Sequence, residues 1–269
     1  MMLLVAVITV LWTTGFRQIG FRLPTDEQVV EFAEDSFQQG VNTRGTTEES
    51  KFFQLAAEHY EELRRRGVHN AALYRNQGNA LLLAGDWPGA ILAYRRGLRL
   101  NPNDRQMRAN LAYARDQVVY SSADNFARPP VSLWPPWLPR LSARSSFWIF
   151  VGFYTLTWIG LARSWTRPTY SRRSLVWSGL AGSILFAACL MIQVHEDRVD
   201  VEHPLVVIAE DKTYLHKGNN ALYPQASETP LNRGVEARLL QARGSWLQIE
   251  LTAGQIGWVP RENALLDIP

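Results

Sequence analysis

The sequence predicts a multi-domain membrane protein with an all-α repeat array, two transmembrane helices and a small all-β barrel. Three observations carry this. Two uncharged apolar runs, residues 147–162 and 175–194, flank a segment holding Arg163, Arg167, Arg172 and Arg173 and no acid. Before them, residues 25–120 show helical patterning that recurs after 34 residues. After them, from Leu205 onward, short runs of β-branched and apolar residues alternate with turn formers.

The apolar runs come first because they place everything else. A spanning helix needs about 17–25 mostly apolar residues. The second run meets this, and Ser145 and Ser146 extend the first. Trp148, Trp158, Trp165 and Trp177 lie near the ends, where an apolar ring with a wet N–H suits a membrane interface. We therefore expect transmembrane helices at 146–162 and 175–194 and a turn at 163–174. An arginine-rich short turn is the kind retained in the cytoplasm, which puts both flanking modules outside. Arg140 and Arg144 oppose that orientation, and Glu196, Asp197, Arg198 and Asp200 leave the other flank mixed. Residues 1–16 form a third apolar run without a basic start, so residues 1–20 read as a signal peptide or an uncleaved anchor. Either would export the helical module behind it. Residues 121–145 are a Pro- and Trp-rich linker, whose prolines at 135, 136 and 139 break any helix.

Composition bounds the chemistry. The chain has 269 residues and a net charge of +3, with the basic surplus around the membrane runs, so no nucleic-acid partner is implied. Its one cysteine, Cys189, lies in the second apolar run, which excludes an intrachain disulfide and a cysteine metal site. There is no phosphate loop, nucleophile elbow or paired-histidine zinc motif, and no catalytic residue is expected. Of the five histidines, His195 and His203 stand near Glu196, Asp197 and Glu202, and we read that stretch as a solvated linker. No metal or cofactor is expected.

The clearest helical unit is residues 71–104. Two helices flank Gly85-Asp86, with Gly78 and Leu81 on the first and Ala90, Tyr94 and Gly97 on the second, and Pro102 ends it. Small residues at 78, 90 and 97 let the helices approach, and Tyr94 fills the space beside them. The spacing is that of a tetratricopeptide repeat. An earlier degenerate unit holds Val29, Ala33 and Gly40 on one helix and Ala56, Tyr60 and Leu63 on the next, with a long loop near 41–49. Asn103 or Asp104 caps a further helix at 105–120. Such a stack leaves a concave face for ligands. The resemblance puts Arg75, Asn76, Asn79, Leu82 and Leu83 along it, with Asn110 from the next helix. Arg75 and Asn79, one turn apart, can hold a peptide carboxylate, although both are ordinary on a solvated helix surface. Arg64-Arg65-Arg66 suits a helix C-terminus.

In the C-terminal part, strands are expected at 205–209, 237–241, 246–251 and 255–259, with hairpin turns at Gly244 and Gly254. Leu247, Ile249 and Leu251 alternate as one buried face. The order Tyr214-Leu215…Gly218, Gly234-Val235, Trp246-Leu247-Gln248-Ile249 and Gly254-Gln255-Ile256-Gly257-Trp258-Val259 resembles a bacterial SH3-like domain over 203–267. Residues 219–230 are longer than that pattern and lack its Gly-Pro turn, which alters a binding loop. Trp246 and Trp258 read as packing residues, and Tyr214 and Tyr223 as surface contacts.

The repeat unit, the ending Arg108-Ala-Asn-Leu-Ala-Tyr-Ala-Arg115, the hairpin and the SH3-like segment, in that order, resemble the BatE-like proteins of bacterial aerotolerance operons. The resemblance spans roughly residues 28–265. It implies a non-enzymatic envelope scaffold in the cell membrane, encoded beside MoxR-type ATPases and von Willebrand factor A proteins. It brings no catalytic residues. The SH3-like segment leaves a peptidoglycan tether or sensor as the alternative, and a subunit modulating a neighbouring ATPase as a third.

Overall fold

The computed structural model describes residues 23–120, 128–129, 140, 143–166 and 170–267, without the side chains of 143, 163–166, 170–175 and 197. The apolar run at 1–16, most of the 121–145 linker and Arg167 lie outside the described residues.

Five helices open the chain: α1 (Asp26–Asn42), α2 (Glu49–Arg65), α3 (Ala71–Leu83), α4 (Trp87–Leu100) and α5 (Arg105–Asp116). All of these starts except that of α2 are set by side chains that satisfy otherwise orphaned N–H groups. Thr25 and Gln28 form a reciprocal capping box on α1. Asn70 accepts from Leu73 N at 2.8 Å, Asp86 from Gly89 N at 3.1 Å and Asp104 from Met107 N at 2.9 Å. Each helix packs on the next, and α3 also reaches α5. The expected close approach at Gly78 is present. A Cβ there would stand 2.5 Å from Tyr94 Cε1, so only glycine fits beside the fully buried ring.

Two long helices come next, α6 (Ala143–Thr166) and α7 (Tyr170–Glu202). Both are long and apolar enough to cross a membrane. Most of the segment expected as a turn at 163–174 is helical backbone. The pair packs through small residues: a Cβ on Gly179 would lie 2.6 Å from Thr157 Oγ1, and one on Gly182 2.5 Å from Phe153 Cδ1. Thr157 and Ser183 satisfy their hydroxyls within their own helices, donating to Phe153 O and Gly179 O. Only 17% of each apolar stretch is buried, and Trp148, Trp177, Ile184 and Leu185 face outward. A core helix of a water-soluble domain would be covered.

The C-terminal strands are β1 (Leu205–Ile208), β2 (Glu236–Arg243), β3 (Trp246–Glu250), β4 (Ile256–Pro260) and, after a 3₁₀ turn, β5 (Ala264–Leu266). They form one antiparallel sheet in the order β4-β3-β2-β1-β5. Gly244 and Gly254, at φ +60° and +82°, make the two hairpin turns. Leu247, Ile249 and Leu251 are buried on one face, as their alternation predicts. The sequence reading stops β2 at Gln241. A bulge between Leu239 and Gln241 absorbs the register change and lets the strand run on to Arg243. β5 has no counterpart in the sequence reading, because three residues are too few for a periodic signal.

Although the hairpin separates them in sequence, the helices and the sheet share one continuous core. α4 contacts both β1 and β5. Ile91, Leu111, Ala114 and Val118 pack with Val207, Ile208 and Val235 in a single buried cluster. Gly234, at φ +91°, brings its backbone against Val118, just beyond the end of α5, so that a Cβ there would meet Val118 Cγ2 at 2.5 Å. Two side chains pin the same loop: Asn232 Nδ2 donates to Val119 O at 2.8 Å, and Arg233 Nη2 donates to Gly85 O at 2.8 Å.

Candidate functional site

The residues expected along the helical groove lie on α3 and α5, and most of them have structural partners. Asn79 Oδ1 accepts from both Tyr94 Oη and Asn110 Nδ2 at 2.8 Å. Burial pushes the Tyr94 hydroxyl upward in pKa, so it stays a donor to that carbonyl. Arg75 reaches Asp104 at 3.4 Å and ties α3 to the cap of α5. Asn76 lies beside the buried Tyr60. Leu82 packs against the core. Leu83 remains exposed on α3 and Tyr113 on α5, and both are apolar groups open to a partner. The sequence reading omits Tyr113, although it stands one turn beyond Asn110 and on the same face.

On the sheet, Tyr214 and Tyr223 are exposed, as expected, and Leu222 beside them is 91% exposed. Tyr223 lies over Gly218, where a Cβ would meet its ring at 2.5 Å. Trp258 is buried, and Trp246 packs edge-on to His216 with ring centroids 5.3 Å apart. Both tryptophans therefore serve packing.

The strongest electrostatic feature joins helices to sheet and involves residues that the sequence reading does not single out as a site. Glu236 on β2 and Asp267 after β5 have side chains only 1% and 2% exposed. Arg115 grips Glu236 bidentately at 2.6 and 2.9 Å, and Arg95 approaches it at 3.7 Å. Arg96 donates to Asp267 at 2.9 Å, and Arg99 pairs with the same carboxylate. Burial alone would raise the Asp267 pKa, but the bonds from Arg99 and Arg96 outweigh it and hold the carboxyl below its usual range. The same balance holds at Glu61, where burial opposes Arg64 and Gln77 and the partners prevail. A signal did exist: Arg95, Arg96 and Arg99 share one stripe of α4 with Leu92, which is buried although a two-helix repeat alone would leave it wet.

Clefts border this junction, three of which bear on the site. One of about 340 Å³ lies among α2, α4 and β5, lined by Glu61, Arg64, Gln77, Arg96 and Leu265. One of about 150 Å³ includes Arg95, His203, Glu236 and Glu250. The largest, about 530 Å³, lies where α4 meets the ends of the hairpin, near Arg99, Arg140, Glu196 and Asp200. Among the described residues, no three of His, Cys, Asp or Glu are grouped to hold a metal ion. His203 Nδ1 instead lies 3.2 Å from Leu239 O, and Glu196 pairs with Arg140 at 2.8 Å. No protein-family model matches the chain, and no curated protein matches it.

Proposed function

We propose that this protein is a membrane-anchored, non-enzymatic scaffold of the BatE-like kind. In this reading α1–α5 form a tetratricopeptide array, the sheet is an SH3-like domain, and α6–α7 anchor both in the cell membrane. The arginine-bearing turn faces the cytoplasm, and helices and sheet lie outside it. The observation that carries the reading is the shared core of helices and sheet beside two outward-facing apolar helices. It makes one firm body that stands on an anchor and leaves Leu83 and Tyr113 exposed. The expected partners are von Willebrand factor A proteins, working with a MoxR-type ATPase. The test is copurification in mild detergent of the full chain with those proteins from its own genome. At least one should be recovered, and Leu83→Glu should lower recovery about tenfold, which corresponds to about 1.4 kcal/mol. Recovery of none, or equal recovery with the variant, contradicts the scaffold reading.

The exposed Tyr214, Leu222 and Tyr223 support a second reading, a tether to peptidoglycan, because flat aromatic faces suit saccharide rings. Retention of the full chain on isolated wall material, lost with Tyr223→Ala, separates the two.

A further inference from the structure

We infer that the cleft at the junction of α4 with the hairpin ends binds the phosphoethanolamine headgroup of a bilayer lipid. This rests on the reading that α6 and α7 span a membrane. The polar walls are Arg95 and Arg99 of α4, Arg140 ahead of α6, Glu196 and Asp200 of α7, and Asp267. Its place in the fold comes first. Arg140 stands just before α6 begins, and Glu196 just beyond the uncharged run that ends at Val194. The cleft therefore opens where lipid-facing surface gives way to polar protein, at the depth of lipid headgroups.

Its walls are held in place. The side chain of Asn103 clasps the backbone of Arg140, donating to its carbonyl at 2.6 Å and accepting from its N–H at 2.9 Å. The Arg140 guanidinium pairs with Glu196 at 2.8 Å across the two hairpin ends. Arg99 is anchored on the buried Asp267 yet keeps a side chain 44% exposed.

The charge distribution selects the ligand. On the α4 side the cleft is lined by two guanidinium groups, Arg95 and Arg99, and one carboxylate, Asp267. That wall carries surplus positive charge and unused N–H donors, which suits a phosphate. On the α7 side, Asp200 is half-buried and has no ion-pair partner among the described residues. A half-buried carboxylate is stabilised by a cation brought to it. A headgroup with phosphate and primary ammonium satisfies both walls at once. A choline headgroup has the same charge but no N–H to donate, and a glycerol headgroup leaves Asp200 uncompensated. Leu98, Val201 and Leu205 line the same cleft and offer apolar contact to the glycerol backbone and the first acyl methylenes.

Native mass spectrometry of the full chain, offered phosphatidylethanolamine, phosphatidylcholine and phosphatidylglycerol with identical acyl chains, tests this. We expect phosphatidylethanolamine to be retained at least fivefold over phosphatidylcholine. Asp200→Asn should bring that ratio to about one without lowering phosphatidylglycerol retention. Arg95→Gln should weaken all three lipids. Equal retention of ethanolamine and choline lipids overturns the proposal, as does an unchanged ratio in Asp200→Asn. Displacement by an equimolar soluble phosphoethanolamine would overturn the assignment to a lipid. Resistance to alkaline carbonate extraction reads insertion separately: a chain that stays in the membrane but shows no headgroup preference sinks this proposal alone.

Discussion

Asp267 and Glu236 are the residues on which the helix–sheet contact turns. Each is nearly inaccessible, each is met by two arginines, and each lies far in sequence from its partners. Removing one partner of a buried pair costs more than the pair contributes, because it strands charge away from water. Asp267→Asn leaves Arg96 and Arg99 facing an amide, and it should lower unfolding stability by about 3 kcal/mol at neutral pH. The pH dependence has a definite sign. The folded-state pKa of Asp267 is depressed, so its contribution is complete above the unfolded value of about 4 and fades as pH falls through the folded one. Denaturant unfolding of the full chain in detergent should thus show little change from pH 7 to 5 and a loss below about pH 4. That acid loss should be smaller in Asp267→Asn. An equal loss in both proteins would show that the clamp does not set acid stability.

At the scale of elements, α4 is the piece whose role differs most from what its pattern implies. Ala90, Tyr94 and Gly97 face α3 and α5, as their spacing predicts. Ile91 and Leu92 sit where a two-helix repeat alone would meet water, and instead they are buried, Ile91 in the core shared with the sheet. The helices, hairpin and main strands were legible because each obeys a period, a cap or a hydropathic length. The docking of sheet on helix was not, since it joins positions separated by the whole hairpin and leaves only local traces: an unbroken apolar run at 90–93 and arginines at 95, 96 and 99. Site residues were legible only by analogy. Sequence gives Asn79 a surface position, whereas its carbonyl is occupied by Tyr94 and Asn110. A chain ended after Glu202 would leave Ile91, Leu92 and Val118 in water. It should bind an apolar fluorescent dye strongly and be cut by protease within α4–α5. Protection equal to that of the full chain would contradict the shared core.

For the whole molecule, the shared core fixes a topological rule. Helices and sheet flank two candidate spans among the described residues and pack on each other, which places them in one compartment. The hairpin then acts as a base whose two ends are held to the body by Asn103, Arg140 and Glu196. In the proposed reading, the arginines between residues 163 and 174 put the body on the outer side by the positive-inside rule. One measurement tests this most directly. With Cys189 replaced by serine, single cysteines are introduced by Glu58→Cys on α2, Arg167→Cys between α6 and α7 in sequence, and Glu228→Cys in the sheet module. Each is then labelled in intact cells with a membrane-impermeant thiol reagent. The account predicts labelling at 58 and 228 and none at 167 until the membrane is opened; labelling of 58 and 228 from opposite sides would contradict it.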